Sequence, residues 1–204
     1  TPWTLTSNVS AAVNKDFNYS KIRTNDGLIY YCATENLKYQ RLEKQFKEKK
    51  EWINEVPKLK TIEQIFKERG GYTIEGNVKG ADMIGWEYEG PFDMLDAQRK
   101  AGGYPFKNTK LEENGISSIN CHKVIDGGKD KFGNDIVIVG EGTGIVHIAP
   151  GCGDIDNKIG KKLDLVEIAP LNEESKFIEG FDWLTGHCAT EKETKDKIIS
   201  DLKE

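Results

Sequence analysis

No C-x-x-C pair occurs in this sequence, and its four cysteines, Cys32, Cys121, Cys152 and Cys188, stand far apart. That spacing offers neither a zinc cage nor a dense disulfide framework, and free thiols in a reducing compartment account for it. Cys121-His122 and His187-Cys188 are adjacent pairs, but neighbours on a strand point to opposite faces, so no metal site is expected. No apolar run approaches the roughly 20 residues needed to cross a bilayer, and no signal peptide is visible. A cytoplasmic chain without a membrane partner is therefore expected. Excess positive charge is also missing: the formal net charge is −5. This argues against a protein held to nucleic acid by bulk charge, though not against one that touches the end of a nucleic acid delivered by another domain. There is no internal repeat, no low-complexity segment and no long Pro/Ser linker, so residues 1–204 are expected to form a single domain. The chain opens on Thr1-Pro2-Trp3 without an initiator methionine, which is expected of a domain cut from a longer protein.

What is present centres on residues 142–156, Gly-Thr-Gly-Ile-Val-His-Ile-Ala-Pro-Gly-Cys-Gly-Asp-Ile-Asp. Thr143 to Ala149 reads as a buried strand rich in β-branched residues, with Pro150-Gly151 opening a loop. His147 is its only ionisable group, and Asp156 follows on the loop. A strand histidine and a loop carboxylate can converge on one pocket at a sheet edge. They can equally be a satisfied core residue and a turn cap.

Along the chain, Val9 to Val13 is short and apolar, Phe17 to Ile22 alternates as a strand, and Asn25-Asp26-Gly27 turns it back into Leu28–Ala33. Leu37 to Arg69 is rich in Lys, Glu and Gln. Leu42, Phe46, Ile53 and Val56 share one helical face ended by Pro57, and Thr61 with Gln64 opens a second helix as a capping box. Tyr72–Val78, Ile116–Ile125 and Ile136–Val139 read as strands, Phe92–Thr109 as irregular loop, and Lys158–Leu165 as a short helix. Thr190 with Glu193 caps a C-terminal helix carried by Ile198, Ile199 and Leu202. Short strands between Gly-rich turns, with helices inserted at about 37–70 and at the end, predict an α+β, mainly β fold with a β-barrel-like core.

Three stretches occur in order: Thr1-Pro2-Trp3-Thr4-Leu5…Asn8, Gly85-Trp86-Glu87-Tyr88-Glu89-Gly90-Pro91-Phe92, and Gly142 to Gly151. Together with Phe181-Asp182-Trp183-Leu184-Thr185-Gly186 they resemble the editing domain inserted into isoleucyl-tRNA synthetases, over nearly the whole chain. Related valyl and leucyl editing domains typically open on Thr-Arg-Pro-Asp/Glu-Thr, so the isoleucyl branch is preferred. The Gly-Cys-Gly at 151–153 looks like the eukaryote-like branch. The resemblance implies an ester hydrolase that removes valine from mischarged tRNA(Ile), and that acts on valyl-adenylate if it also edits before transfer. One methylene in an apolar pocket is worth only about 1–3 kcal/mol, a general magnitude for which isoleucine against valine is itself the standard worked case. A second sieve is needed for faithful translation.

By resemblance, Asp156 matches the carboxylate that pairs with the substrate α-ammonium. His147 matches the residue that narrows the side-chain pocket. Thr1, Trp3, Thr4 and Asn8 match a threonine-rich strand that holds the terminal ribose and the attacking water, with Gly144 and Ile145 also against substrate. Family chemistry is described as substrate-assisted, with a hydroxyl of the terminal adenosine helping to activate water. The implied partners are the 3′ end of tRNA(Ile) carrying valine and the rest of the synthetase polypeptide. No cofactor is implied for editing; ATP and magnesium serve the synthetic site, whose His-x-Gly-His and Lys-Met-Ser-Lys-Ser motifs are missing here. Two departures stand out. The family's threonine run extends upstream of Thr1, and Ile155 stands where an acidic residue often precedes the key aspartate. The alternatives are a valyl or leucyl editing domain and a non-catalytic module that grips the tRNA acceptor end.

Overall fold

The computed structural model describes residues 1–40 and 59–202. The expected helix bearing Leu42, Phe46, Ile53 and Val56 lies outside the described residues. In chain order the described elements are β1 (Ser10–Val13), β2 (Asn18–Thr24), β3 (Ile29–Ala33), α1 (Ile62–Glu68), β4 (Tyr72–Lys79), α2 (Gly80–Met83), α3 (Asp96–Arg99), α4 (Thr109–Glu113), β5 (Val124–Asp126), β6 (Val146–Ile148), α5 (Asp154–Lys162) and α6 (Lys192–Asp201). Short 3-10 helices cover Pro2–Ser7, Thr34–Leu37, Ile119–Cys121 and Asp182–Leu184. The fold is α+β. Among the described residues its strands make two three-stranded sheets, ordered β5-β1-β6 and β3-β2-β4, and no closed barrel. No helix among the described residues is long and apolar enough to cross a membrane.

The chain divides into two compact units. The first comprises Thr1–Ala11, Gly85–Val124 and His147–Glu204; the second comprises Ala12–Ile84 and Ile125–Val146. In the second unit, β2 pairs antiparallel with β3 from Tyr19↔Ala33 to Arg23↔Ile29, as the Asn25-Asp26-Gly27 turn requires. Gly27 takes a φ of 88°, open to glycine at little cost. On its other side β2 pairs with β4, with an irregularity between Lys21 and Ile22. Ile22, Cys32, Leu37, Ile62 and Phe66 form a buried cluster under this sheet. The capping box of α1 is complete: Gln64 N donates to Thr61 Oγ1 at 3.1 Å, and Thr61 N donates to Gln64 Oε1 at 2.8 Å. The expected strand at Ile136–Val139 does not form. Its backbone makes single bonds in place of a ladder: Ile136 N donates to Gly128 O at 3.1 Å, Val137 O accepts from Asn14 Nδ2 at 3.1 Å, and just beyond it Gly140 N donates to Asn36 Oδ1 at 2.8 Å.

The first unit has its own core, in which Val9, Phe92, Leu95, Leu111, Val166, Ile168, Phe177, Phe181, Leu184 and Ile198 are buried together. Several local expectations change here. The opening segment is a 3-10 helix, not a strand, with Pro2 at its first position where a missing N–H is harmless. Ile116–Ile125 is broken by the helical turn Ile119–Cys121, because Asn120 Oδ1 accepts from both Ser117 N and Ser117 Oγ and folds the chain over. Within the expected loop 92–109 lies α3. The expected helix at 158–165 starts earlier, at Asp154, and stops at Lys162. In α6 only Ile198 of the three expected apolar residues is buried; Ile199 and Leu202 are exposed. Its N-cap is Glu191, and the Thr190 hydroxyl pairs with Cys188 Sγ at 3.1 Å instead of capping the helix.

Candidate functional site

Strand β6 is shorter than the sequence suggests, Val146–Ile148 in place of Thr143–Ala149, but it carries His147 as expected. Its neighbour in the first unit is the segment leaving helix Pro2–Ser7: Val9 N donates to Ile148 O at 2.9 Å. This pairing brings that helix beside the histidine. Thr4 Oγ1 lies 2.8 Å from Thr1 O and 3.0 Å from His147 Nε2. A hydroxyl has one hydrogen, and a carbonyl oxygen can only accept, so Thr4 donates to Thr1 O. Its lone pair then accepts from His147, which assigns the proton to Nε2. His147 Nδ1 is buried and has no hydrogen-bond partner among the described residues. Burial holds the imidazole below its ordinary pKa, only partly countered by Asp156. The ring is therefore neutral near pH 7, with one committed N–H.

Asp156 sits in the first turn of α5, not on a loop. The turn that follows β6 is closed by Cys152 N donating to Ala149 O at 2.9 Å, and Gly153 caps the helix. Gly151 is packed so closely on the Ile168 carbonyl that a β-carbon there would overlap it. Asn157 Nδ2 ties the turn to Pro150 O at 3.0 Å and to Glu167 Oε2 at 2.9 Å. The chain thus doubles back, and Ala149 N donates to Asp156 Oδ2 at 2.9 Å. Oδ1 receives no hydrogen bond among the described residues. Burial pushes the carboxyl above its usual range, partly offset by the Ala149 N–H and by His147. A half-buried carboxylate with one oxygen free is suited to a cationic group, because an ammonium would repay the loss of water. Burial, together with the charges of Asp156 and Glu167, pushes the Cys152 thiol up to about 12, so it is no nucleophile at neutral pH.

The other expected residues are placed unequally. Thr1 is exposed and contributes its carbonyl to Thr4. Trp3 is half-buried against the first-unit core, and its carbonyl accepts from Thr6 Oγ1 at 2.7 Å. Asn8 is only 5% exposed, with both ends of its amide engaged: Oδ1 accepts from Tyr88 Oη at 2.6 Å and Nδ2 donates to Ser10 O at 3.0 Å. Gly144 and Ile145 belong to the second unit, where the Tyr19 hydroxyl donates to Gly144 O at 2.7 Å and Ile145 N donates to Thr143 Oγ1 at 3.3 Å. Sequence reasoning missed the Ala149 N–H, the half-buried Cys152 and the group Tyr88, Asp93 and His122 behind Asn8. Tyr88 lay within the quoted aromatic–acidic run, and that was its only signal.

No family model matches the chain. Over its full length it is 32% identical to the isoleucine–tRNA ligase of Sulfolobus acidocaldarius and 29% identical to that of Clostridium acetobutylicum. Over 87% of its length it is 33% identical to the isoleucine–tRNA ligase of Treponema denticola. The chain spans about 15% of the length of the first of these relatives, 14% of the second and 13% of the third.

Proposed function

The chain belongs to the isoleucine–tRNA ligases as one segment of them, and we propose that this segment is their editing site, a hydrolase for valine esterified to tRNA(Ile). Both units together make up the editing domain in this reading, and its β-rich body is the barrel-like scaffold of the family's eukaryote-like branch. The observation that carries the proposal is the pairing of a fixed, neutral His147 with an Asp156 whose Oδ1 is uncommitted. The α-ammonium of the aminoacyl group pairs with Asp156 Oδ1. That contact pins the ester while leaving its carbonyl open to attack. His147 closes the side-chain pocket sterically, and its Nε2–H bond to Thr4 keeps the ring from swinging away. Water attacks with help from a hydroxyl of the terminal adenosine, so no protein nucleophile is required. Thr1, Trp3 and Thr4 border the ribose end. The partners are the 3′ end of tRNA(Ile) and the remainder of a cytoplasmic synthetase; editing uses no cofactor, and ATP with magnesium serves the synthetic site. Valyl-adenylate, carrying the same ammonium and the same side chain, is a second substrate.

Asp156→Ala in the intact ligase tests the reading. Loss of a buried ammonium–carboxylate contact is expected to lower valyl-tRNA(Ile) deacylation by at least about 100-fold, the scale of 2–3 kcal/mol for a charge-assisted hydrogen bond. Isoleucine activation should stay unchanged. Deacylation at the parental rate would remove Asp156 from the site. A wild-type enzyme that binds the acceptor end but never releases valine would instead mark a binding module.

A further inference from the structure

Behind the proposed site, a buried His122 joins the half-buried Tyr88 and Asp93 in a group that none of the chemistry above uses. The Tyr88 ring stacks on His122 with centroids 4.9 Å apart and planes 17° from parallel. His122 is 3% exposed; its Nδ1 lies 3.0 Å from Val9 O and its Nε2 lies 2.7 Å from Asp93 Oδ1. Asp93 Oδ2 in turn accepts from Gly90 N at 2.8 Å. Gly90 has no room for a side chain, since a β-carbon would come within 2.6 Å of His122 Nε2. The whole group converges on Asn8 and Val9. Tyr88 Oη donates to Asn8 Oδ1, and Ser118 Oγ donates to Asn8 O at 2.9 Å.

Asn8 is the joint of the site. Its own N–H closes helix Pro2–Ser7 on Leu5 O, while its extended backbone leads into β1. Val9, the next residue, gives its N–H to Ile148 O, one position from His147. The helix that carries Thr4 and the strand that carries His147 are thus referred to the same two residues.

We propose that Tyr88, backed by His122 and Asp93, is a positioning residue for hydrolysis, fixing the Asn8 amide and through it the Thr4–His147 contact. The proposal rests on the hydrolytic reading of the site. Asn8 then acts as a hinge pin and not as a ligand for substrate. Burial raises the Tyr88 pKa, which keeps its hydroxyl a donor. Removing that hydroxyl leaves Asn8 Oδ1 buried and unpaired, and the amide must turn to find a partner. A displacement of an ångström at a reacting site lowers rates by about 100-fold, so a fraction of that is expected here.

The test is Tyr88→Phe, which keeps the stack on His122 and removes one oxygen. In the intact ligase, kcat for valyl-tRNA(Ile) deacylation should fall about tenfold with KM within about twofold, and isoleucine activation should not change. On an Asn8→Ala background the same change should cost less than about twofold, because the contact is already gone. A 4-aminophenylalanine at position 88 restores a donor and should recover most of the rate. Imidazole NMR of the chain reads the same device without substrate: the His147 Nε2–H signal should move in Tyr88→Phe. An unmoved signal overturns the proposal whether or not the enzyme is active, as does a full tenfold loss on the Asn8→Ala background. A wild-type enzyme that fails to deacylate, with a His147 signal that still moves, overturns the hydrolytic reading and leaves the positioning contact standing.

Discussion

Asp156 and His147 respond to burial in opposite directions, and the signs decide how the site answers to pH. Asp156 has its pKa raised by burial, so it favours the folded state when protonated, and that contribution is lost as pH rises through the raised value. His147 has its pKa lowered by burial, so it favours the folded state when neutral, and that contribution is lost as pH falls through the lowered value. Ligand binding follows the carboxylate. An ammonium pairs only with the ionised form, so affinity for a non-hydrolysable valyl-adenosine analogue should fall on acidification, starting at a higher pH than an exposed aspartate would give. Calorimetric titration from neutral pH downward measures this. The fall should persist in His147→Gln; if it disappears there, the imidazole and not Asp156 is the titrating group. Both residues were legible in the sequence, because an ionisable side chain on an apolar strand and an acid beyond a Gly-rich turn stand out. The Ala149 N–H that holds Asp156 was not, because no side-chain pattern marks a backbone donor brought close by chain reversal.

Elements were legible where the signal was local and reciprocal. The β2–β3 hairpin follows from its turn residues, and α1 follows from a capping box whose two halves satisfy each other. The same pattern at Thr190 and Glu193 fails, because Cys188 offers the threonine hydroxyl a nearer partner and the helix starts one residue later. Thr61→Ala should therefore lower stability by about 1 kcal/mol, the usual worth of a side-chain N-cap, while Thr190→Ala should change it by less than about half that. Urea unfolding of the two variants measures the difference. The opening segment, matched by resemblance to a strand, is instead helix Pro2–Ser7, whose partners, Gln98 Nε2 on Thr6 O and His147 on Thr4, are remote in sequence. The same holds for Val137, whose carbonyl partner is the side chain of Asn14.

At the scale of the whole molecule, the first unit holds the proposed chemistry, with Thr4, His147 and Asp156 on a 3-10 helix, a strand and a helix gathered around one turn. A sieve built this way discriminates by exclusion, since the ammonium anchor is common to every aminoacyl ester. On the proposed reading the anchor gives affinity without selectivity, and the imidazole wall gives selectivity without affinity. The two functions should therefore separate by mutation. In the intact ligase, His147→Ala should lower valyl-tRNA(Ile) deacylation by about tenfold, the cost of losing the Thr4–His147 contact, and by no more than that, because the Asp156 contact survives. It should also begin to hydrolyse isoleucyl-tRNA(Ile), since an excluded methyl group in a rigid pocket corresponds to about 1–3 kcal/mol of clash or more. Asp156→Ala should lose both esters alike. Deacylation of valyl, threonyl, leucyl and isoleucyl esters by the parent and both variants reads the pattern directly. If His147→Ala leaves the isoleucyl ester intact while cleaving the valyl ester at the parental rate, the wall lies elsewhere. A parent that favours leucyl or threonyl esters over valyl would place the pocket with another branch of the editing domains.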